Sequence, residues 1–385
     1  MHLKITRERV IELISAVQSV IERKHVLNIL SNIKIVLTDT EICMTGTDLE
    51  VELIARAPIN NGECKEPGEI TLPARKLFDI CKALQPNALI DLKTSDDGRC
   101  VVKSNQSKFA LGTLPAHDYP SIKGRSHDND SKNLVSVIVG ATEFKQLFDK
   151  TAFSMAVQDV RFYLTGTLLE IEQNSVRAIT TDGHRLSVCQ VAAQTTNKDP
   201  IQAILPKKAV NELQRLLQVS NNQIELTLSR EMVSATLHLE TKNGSPYSIE
   251  FTTKMIDGRY PDYRRVIPNH NQKIARINID DFKQAIHRVS ILSNEKDGYI
   301  IITFTSDEVK LVASNQDQDE ANEYVEVDYS GEDIEIAFSA QYLSDILNCL
   351  DSGTAEIRMG KEIESVLILD PEDLVKKYIV MPRRA

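Results

Sequence analysis

Three stretches of this chain line up without gaps: residues 72–84 (LPARKLFDICKAL), 205–217 (LPKKAVNELQRLL) and 338–350 (FSAQYLSDILNCL), successive copies standing 133 residues apart. A fixed internal period of this kind constrains the architecture more than any single motif, because each copy must be one folding unit of the same design. In the first copy Leu77, Ile80, Cys81 and Leu84 form an apolar stripe at helical spacing. Val210, Leu213 and Leu217 form it in the second, with Gln214 as the polar break, and Leu343, Ile346, Leu347 and Leu350 in the third. Such a stripe predicts an amphipathic helix with one face on a core. A second helix family lies upstream: Val10, Leu13 and Ile14 correspond to Phe144, Leu147 and Phe148, and then to Phe282, Ala285 and Ile286, with Thr6, Thr142 and Asp280 as expected N-caps. Alternating β-branched runs at 33–37, 50–57, 224–228, 299–304 and 366–369 read as strands. The reading is α+β, with three tandem domains of one fold at 1–125, 130–266 and 267–385, each carrying two helices on antiparallel sheets. The joints fall in the polar stretches 123–132 and 268–273.

No apolar run approaches the ~18 residues of a membrane span, and MHLKITRERV lacks the apolar core of a signal peptide, so the cytoplasm is the expected compartment. The six cysteines (Cys43, Cys64, Cys81, Cys100, Cys189, Cys349) show no paired spacing, which predicts buried reduced thiols rather than disulfides or a zinc site. With no Trp and 5% aromatic residues, a broad base-stacking platform is disfavoured.

The net charge of −10 argues against a nucleic-acid binder until its distribution is considered. The six predicted helices (6–20, 73–84, 142–157, 206–217, 280–292 and 339–350) together carry +3, leaving −13 on strands and loops. Helices sharing one surface could face phosphates while an acidic exterior repels them. Lysine and arginine are also simply good helix formers on solvated faces, so the partition removes an objection and establishes nothing by itself.

Thr181-Asp182-Gly183-His184-Arg185 admits two readings. Asp182 with His184 could be an acid–base pair of a hydrolase, yet no nucleophile or metal set accompanies it. Asp-Gly between alternating apolar runs is a tight-hairpin signal, and Thr47-Asp48 stands at the equivalent place in the first copy without a histidine. The segment 258–268 (GRYPDYRRVIP) reads as a rigid connection or, from its Tyr and Arg content, as a peptide-docking edge. Asp317, Asp319, Glu320, Glu323 and Glu326 make an acidic stretch, while Lys103 and Lys108 surround Phe109 and Leu111. A basic edge at one end and an acidic edge at the other could pair head to tail and close a ring. No Gly-rich phosphate loop or metal-carboxylate pair appears, so no catalytic residue, metal or cofactor is assigned.

The stretches 45–56 (TGTDLEVELIAR), 72–84, 154–166 (SMAVQDVRFYLTG), 180–188 (TTDGHRLSV), 257–268 (DGRYPDYRRVIP), 291–296 (ILSNEK) and 378–384 (YIVMPRR) together resemble the bacterial DNA polymerase III β-subunit family of sliding clamps, in family order and across all three copies. The resemblance implies three DNA-clamp domains per chain and a head-to-tail homodimer of six domains, its helices lining a hole. It implies a non-catalytic processivity factor for DNA replication that encircles duplex DNA without sequence preference and is loaded by an ATP-driven loader. DNA contacts are implied at Lys24 (or Arg23 beside it), Arg75, Gln158, Phe162 and Tyr163. A partner-peptide pocket between the second and third domains is implied, with an apolar wall of Leu164, Leu186, Pro261, Val266, Ile363, Ile379, Val380, Met381 and Pro382. Its polar members are Arg161, Thr181, Gly183, His184, Arg185, Arg265 and Ser365, and Arg383 and Ala385 stand at the rim where apolar residues are common. Implied partners are the polymerase III alpha subunit, the clamp-loader delta subunit and other repair and replication proteins. The implied protomer interface sets Phe109 and Leu111 against Ile291 and Leu292, flanked by Lys103, Lys108, Asp319, Glu320 and Glu323.

Overall fold

The computed structural model describes residues 1–22, 26–95, 97–122, 134–197, 199–220, 222–240, 244–293 and 298–383. The six expected helices form, as α1 (Arg7–Val17), α2 (Ala74–Ala83), α3 (Ala141–Asp149), α4 (Lys207–Leu217), α5 (Ile279–Ser290) and α6 (Ala340–Leu347). The nine aligned positions of the α1, α3 and α5 family, Val10 through Ile286, are each at most 2% exposed. Burial of that order is worth roughly 1.5–3 kcal/mol per large apolar side chain, so the repeated stripe is what seats each helix. In the other family Leu77, Cys81, Val210, Leu213, Leu217, Leu343, Ile346, Leu347 and Leu350 are buried, whereas Ile80 and Leu84 are only half-buried.

The caps differ from expectation in two helices. Thr142 lies inside α3, and Asp280 lies in the first turn of α5, where its charge favours the positive end of the helix dipole. The cap of α5 is Asn278, whose side-chain oxygen accepts from the Asp281 N–H (3.0 Å). Thr6 occupies the α1 cap position without a side-chain capping bond. The helix expected over 142–157 ends at Asp149; Thr151 donates its hydroxyl back to the Leu147 carbonyl (2.6 Å) and a short 3₁₀ turn, Ala152–Ser154, follows.

The chain packs as two compact units that do not coincide with the repeats. The first comprises Met1–Lys145, Ala193–Asp199 and Lys208–Met255. It holds a five-stranded antiparallel sheet in the order Cys64–Glu66, His2–Thr6, Leu89–Ser95, Arg99–Ser104, Ser107–Gly112. It also holds a nine-stranded sheet in which Val51–Pro58 pairs with Pro246–Lys254, Leu53 standing opposite Phe251. That pairing carries one sheet from the first repeat into the second.

The second unit comprises Gln146–Ala192, Pro200–Lys207 and Ile256–Ala385. Its nine-stranded sheet is continuous through the pairing of Arg185–Ala192 with Asp373–Val380, Leu186 opposite Ile379. A four-stranded sheet runs Glu320–Glu326, Glu308–Ser314, Tyr299–Phe304, Ile334–Ser339. A core including Phe282, Phe304, Phe338 and Tyr378 packs α5 and α6, and a smaller apolar cluster around Leu164, Leu186, Tyr260, Tyr263 and Ile379 sits beside it.

All six cysteines are unpaired thiols; five are buried and Cys64 is half-buried. Burial pushes the Cys81 thiol up to about 12, and those of Cys43, Cys100, Cys189 and Cys349 to about 11, so these are inert packing groups. Among the described residues, no helix is long and apolar enough to cross a membrane.

Candidate functional site

Strands Ser175–Thr181 and Arg185–Ala192 are joined by the Asp182-Gly183-His184 turn, with Thr181 opposite Leu186. Asp182 makes the turn: its Oδ1 accepts from the N–H groups of His184 (2.9 Å) and Arg185 (3.0 Å). Thr181 accepts from the Gly183 N–H (3.0 Å) and donates its hydroxyl to the Arg185 carbonyl (2.6 Å). Gly183 adopts φ +90°, the left-handed conformation that glycine tolerates best. The first repeat builds the same turn. Asp48 accepts from the N–H groups of Glu50 and Val51, Thr47 bonds the Leu49 N–H and the Val51 carbonyl, and Leu49 takes φ +77°. The Asp182 carboxylate is thus committed to backbone and to Arg185 Nε (3.0 Å), and a hydrolytic Asp–His pair is not what this turn builds.

A cavity of about 200 Å³ opens against this hairpin. Of the residues expected there from sequence, Arg161, Leu164, Thr181, Gly183, His184, Arg185, Leu186, Pro261, Val266, Ile379 and Met381 line it. Val380 does not: along strand Asp373–Val380 alternate side chains face opposite ways, and Val380 packs into the core with Phe282 and Tyr378. Arg265 also stands apart, its side chain 85% exposed and paired with Asp262 (3.0 Å). Ile363 is exposed, and Ser365 donates to the Val266 carbonyl (3.2 Å) from behind the wall. Pro382 is half-buried, and Arg383 is exposed with its N–H on the Ala337 carbonyl (2.7 Å). Ala385 lies outside the described residues.

Two lining residues were not expected, Asp262 and Tyr263. The 3₁₀ turn Tyr263–Arg265 rotates Tyr263 inward and Arg265 outward. The only hint in the sequence is that Tyr263 lies in the Pro-Tyr-Arg segment itself. The Tyr263 hydroxyl donates to Glu170 (2.7 Å), a nearly buried carboxylate that also holds Arg177 (3.0 Å) and Arg264 (2.8 Å).

Beside the cavity, residues 157–163 form an exposed turn. Gln158 has φ +54°, and Val157, Val160 and Phe162 are exposed. Phe162 meets Tyr163 edge to face, ring centroids 5.8 Å apart. Arg75, on α2, is exposed and makes a long contact to Asp79 (3.8 Å), in a broad cleft with Lys76 and Lys82. Lys24 and Arg23 lie outside the described residues.

The expected interface residues fall on sheet edges. Ser107–Gly112 ends the five-stranded sheet, Lys108 standing opposite Lys103, with Phe109 half-buried and Leu111 buried. Glu320–Glu326 ends the four-stranded sheet. Asp319 and Glu320 are exposed, and Glu323 is held below the usual carboxylate range by the Arg288 guanidinium (2.7 Å). Ile291 is 69% exposed immediately after α5, with Leu292 half-buried beside it.

A threefold α+β repeat with a small apolar cavity and two oppositely charged sheet edges has the form of a binding scaffold of the clamp class. Three family descriptions match in order: the DNA polymerase III beta subunit N-terminal domain over residues 1–123, its central domain over 139–262 and its C-terminal domain over 264–384. The chain is 38% identical over 384 residues to the beta sliding clamp of Pseudomonas putida and 36% identical over 385 to that of Escherichia coli K12, covering 100% of each. A crystal structure of the DNA polymerase sliding clamp from Pseudomonas aeruginosa superposes with a TM-score of 0.91 at 36% identity, over 100% of both chains. The chain belongs to the DNA polymerase III beta subunit family, and is a non-catalytic sliding clamp subunit of three clamp domains.

Proposed function

We propose that two copies of this chain close head to tail into a six-domain ring around duplex DNA and hold the replicative polymerase on it. The single observation carrying this reading is the full-length match, in order, to all three domains of the family. The domain limits are 1–125, 130–266 and 267–385. DNA contacts fall to Arg75, Gln158, Phe162 and Tyr163, and to Lys24 or Arg23 in the first domain. Each contact is weak and indifferent to sequence, as sliding requires; topology, not affinity, supplies retention. The exposed Arg75 guanidinium supports its part, since its ion pair with Asp79 is long (3.8 Å).

Phe109 and Leu111 meet Ile291 and Leu292 of a second copy. Lys103 and Lys108 face Asp319, Glu320 and Glu323 across the joint. Ring closure would remove both open edges, which isolated sheets must otherwise protect from promiscuous pairing. The cavity beside the hairpin takes the apolar anchors of short linear peptides from the polymerase III alpha subunit, the loader delta subunit and repair and replication proteins. The cytoplasm is the compartment. An assay on DNA decides the reading. The clamp is loaded onto nicked circular plasmid, isolated by gel filtration at moderate salt and then treated with a single-cutting nuclease. Retention on the circle with release after linearisation is expected. Equal retention on both forms identifies an open nucleic-acid adaptor instead.

A further inference from the structure

We infer that Asp159 is a positioning residue for the peptide cavity, its carboxylate holding the Arg161 guanidinium over the hairpin so that the remaining N–H donors meet a main-chain carbonyl of the bound segment. The inference rests on the cavity being the peptide site. Asp159 does not line the cavity, and three bonds tie it to a residue that does. Its Oδ1 accepts from the Arg161 N–H (2.8 Å) and from Nε (3.0 Å), and its Oδ2 accepts from Nη2 (2.7 Å). Nη2 also donates to the Asp182 carbonyl (3.3 Å), fixing the fork against the turn. The Nη1 group has no hydrogen-bond partner among the described residues.

The hairpin leaves room for this arrangement. A Cβ on Gly183 would come within 3.1 Å of Arg161 Nη2 and 3.2 Å of Nη1, so the glycine lets the guanidinium lie close to the backbone. Arginine is otherwise a costly side chain to immobilise, and a fork fixed beforehand loses less entropy when a ligand arrives. The Asp159 carboxylate is held down to about 2 by the Arg161 hydrogen bonds, so it remains an acceptor throughout the neutral range. The Nη1 donors are the unused part of the fork, so the complementary group on a ligand is an acceptor, and an extended apolar peptide offers backbone carbonyls.

The test is a double-mutant cycle read by fluorescence anisotropy with a labelled hexapeptide ending in Leu-Phe, whose side chains suit an apolar cavity of this size. Asp159→Asn keeps one oxygen for the turn but removes the bidentate grip, and about tenfold weaker binding is expected, the size of one charged hydrogen bond. Arg161→Ala is expected to weaken binding similarly, and Asp159→Asn added to Arg161→Ala to cause no further loss. Melting temperatures confirm that each variant folds. Wild-type affinity in Asp159→Asn overturns the inference, as does an equal loss with and without Arg161, which would mean that Asp159 merely shapes the loop. The Val266→Ala/Met381→Ala variant separates the two levels. If it binds like wild type, the cavity reading fails and this inference with it; if it loses the peptide while Asp159→Asn does not, only the role of Asp159 is lost.

Discussion

Arg185 is the residue on which the cavity wall depends. Its guanidinium reaches Asp182 in the same turn (3.0 Å), Asp345 on α6 (2.5 Å) and the Phe153 carbonyl (2.6 Å), and lies over the Tyr342 ring at 4.3 Å from the centroid. With its side chain only 11% exposed, it is structural filling with a charge inside. Removing it takes the cationic partner from two partly buried carboxylate oxygens and a carbonyl, so Arg185→Ala is expected to lose about 3 kcal/mol in urea unfolding. Asp345→Asn, which keeps an acceptor, is expected to lose less than half of that. Equal losses would mean that packing, not the charge network, sets the value. The sequence announced the hairpin, because Asp-Gly between alternating strands encodes a turn within five residues. It was silent about Asp345, which lies 160 positions away and is brought in only by the packing of α6.

At the scale of elements, the period in the chain placed six helices and left the sheets for the structure to define. Helical stripes are local and every repeat shows one. Which strands pair depends on neighbours far along the chain, and so the continuity of Val51–Pro58 with Pro246–Lys254, and of Arg185–Ala192 with Asp373–Val380, was not legible. Val380, which the resemblance implied in the cavity wall, alternates with Ile379 along its strand and so faces the core. Two repeat junctions are thus closed by strand pairing within the chain, while Ser107–Gly112 and Glu320–Glu326 are, among the described residues, edge strands paired on one side only. Ile291 stands exposed just past the end of α5, three residues beyond Arg288, which pairs with Glu323 of the acidic edge. Ile291→Ala with Leu292→Ala is expected to give monomers in sedimentation velocity at micromolar concentration, with retention on circular DNA lost and the melting temperature of the chain nearly unchanged. An intact dimer would show that the joint lies elsewhere.

For the whole molecule, acidity acts through two effects of opposite sign. The net charge of −10 shrinks towards the isoelectric point near 5.4, which relieves self-repulsion and favours the folded state on first lowering the pH. Below that, individual carboxylates decide. Burial pushes Glu170 up, but hydrogen bonds from Tyr263, Gln202 and Arg177 and the charge of Arg264 outweigh it and leave the group lowered. Glu356 is likewise lowered on balance, burial being overcome by Arg358 and Arg276, and Asp351 by Lys150 and Lys376. A carboxyl whose folded value lies below its unfolded value stabilises the protein fully above the unfolded value, near 4, and loses that contribution as pH falls through the folded value. The melting temperature is therefore expected to be flat or slightly rising from about pH 8 to about 5.5, and to fall steeply below about pH 4.5. Glu356→Gln removes one titrating group and leaves an acceptor for only one of the two arginines, since Arg276 and Arg358 bond different oxygens. It is expected to lower stability at neutral pH and to flatten the acid limb, so that the gap from wild type narrows between about pH 5 and 3. A gap that stays constant across that window would place the origin of acid unfolding outside these paired carboxylates.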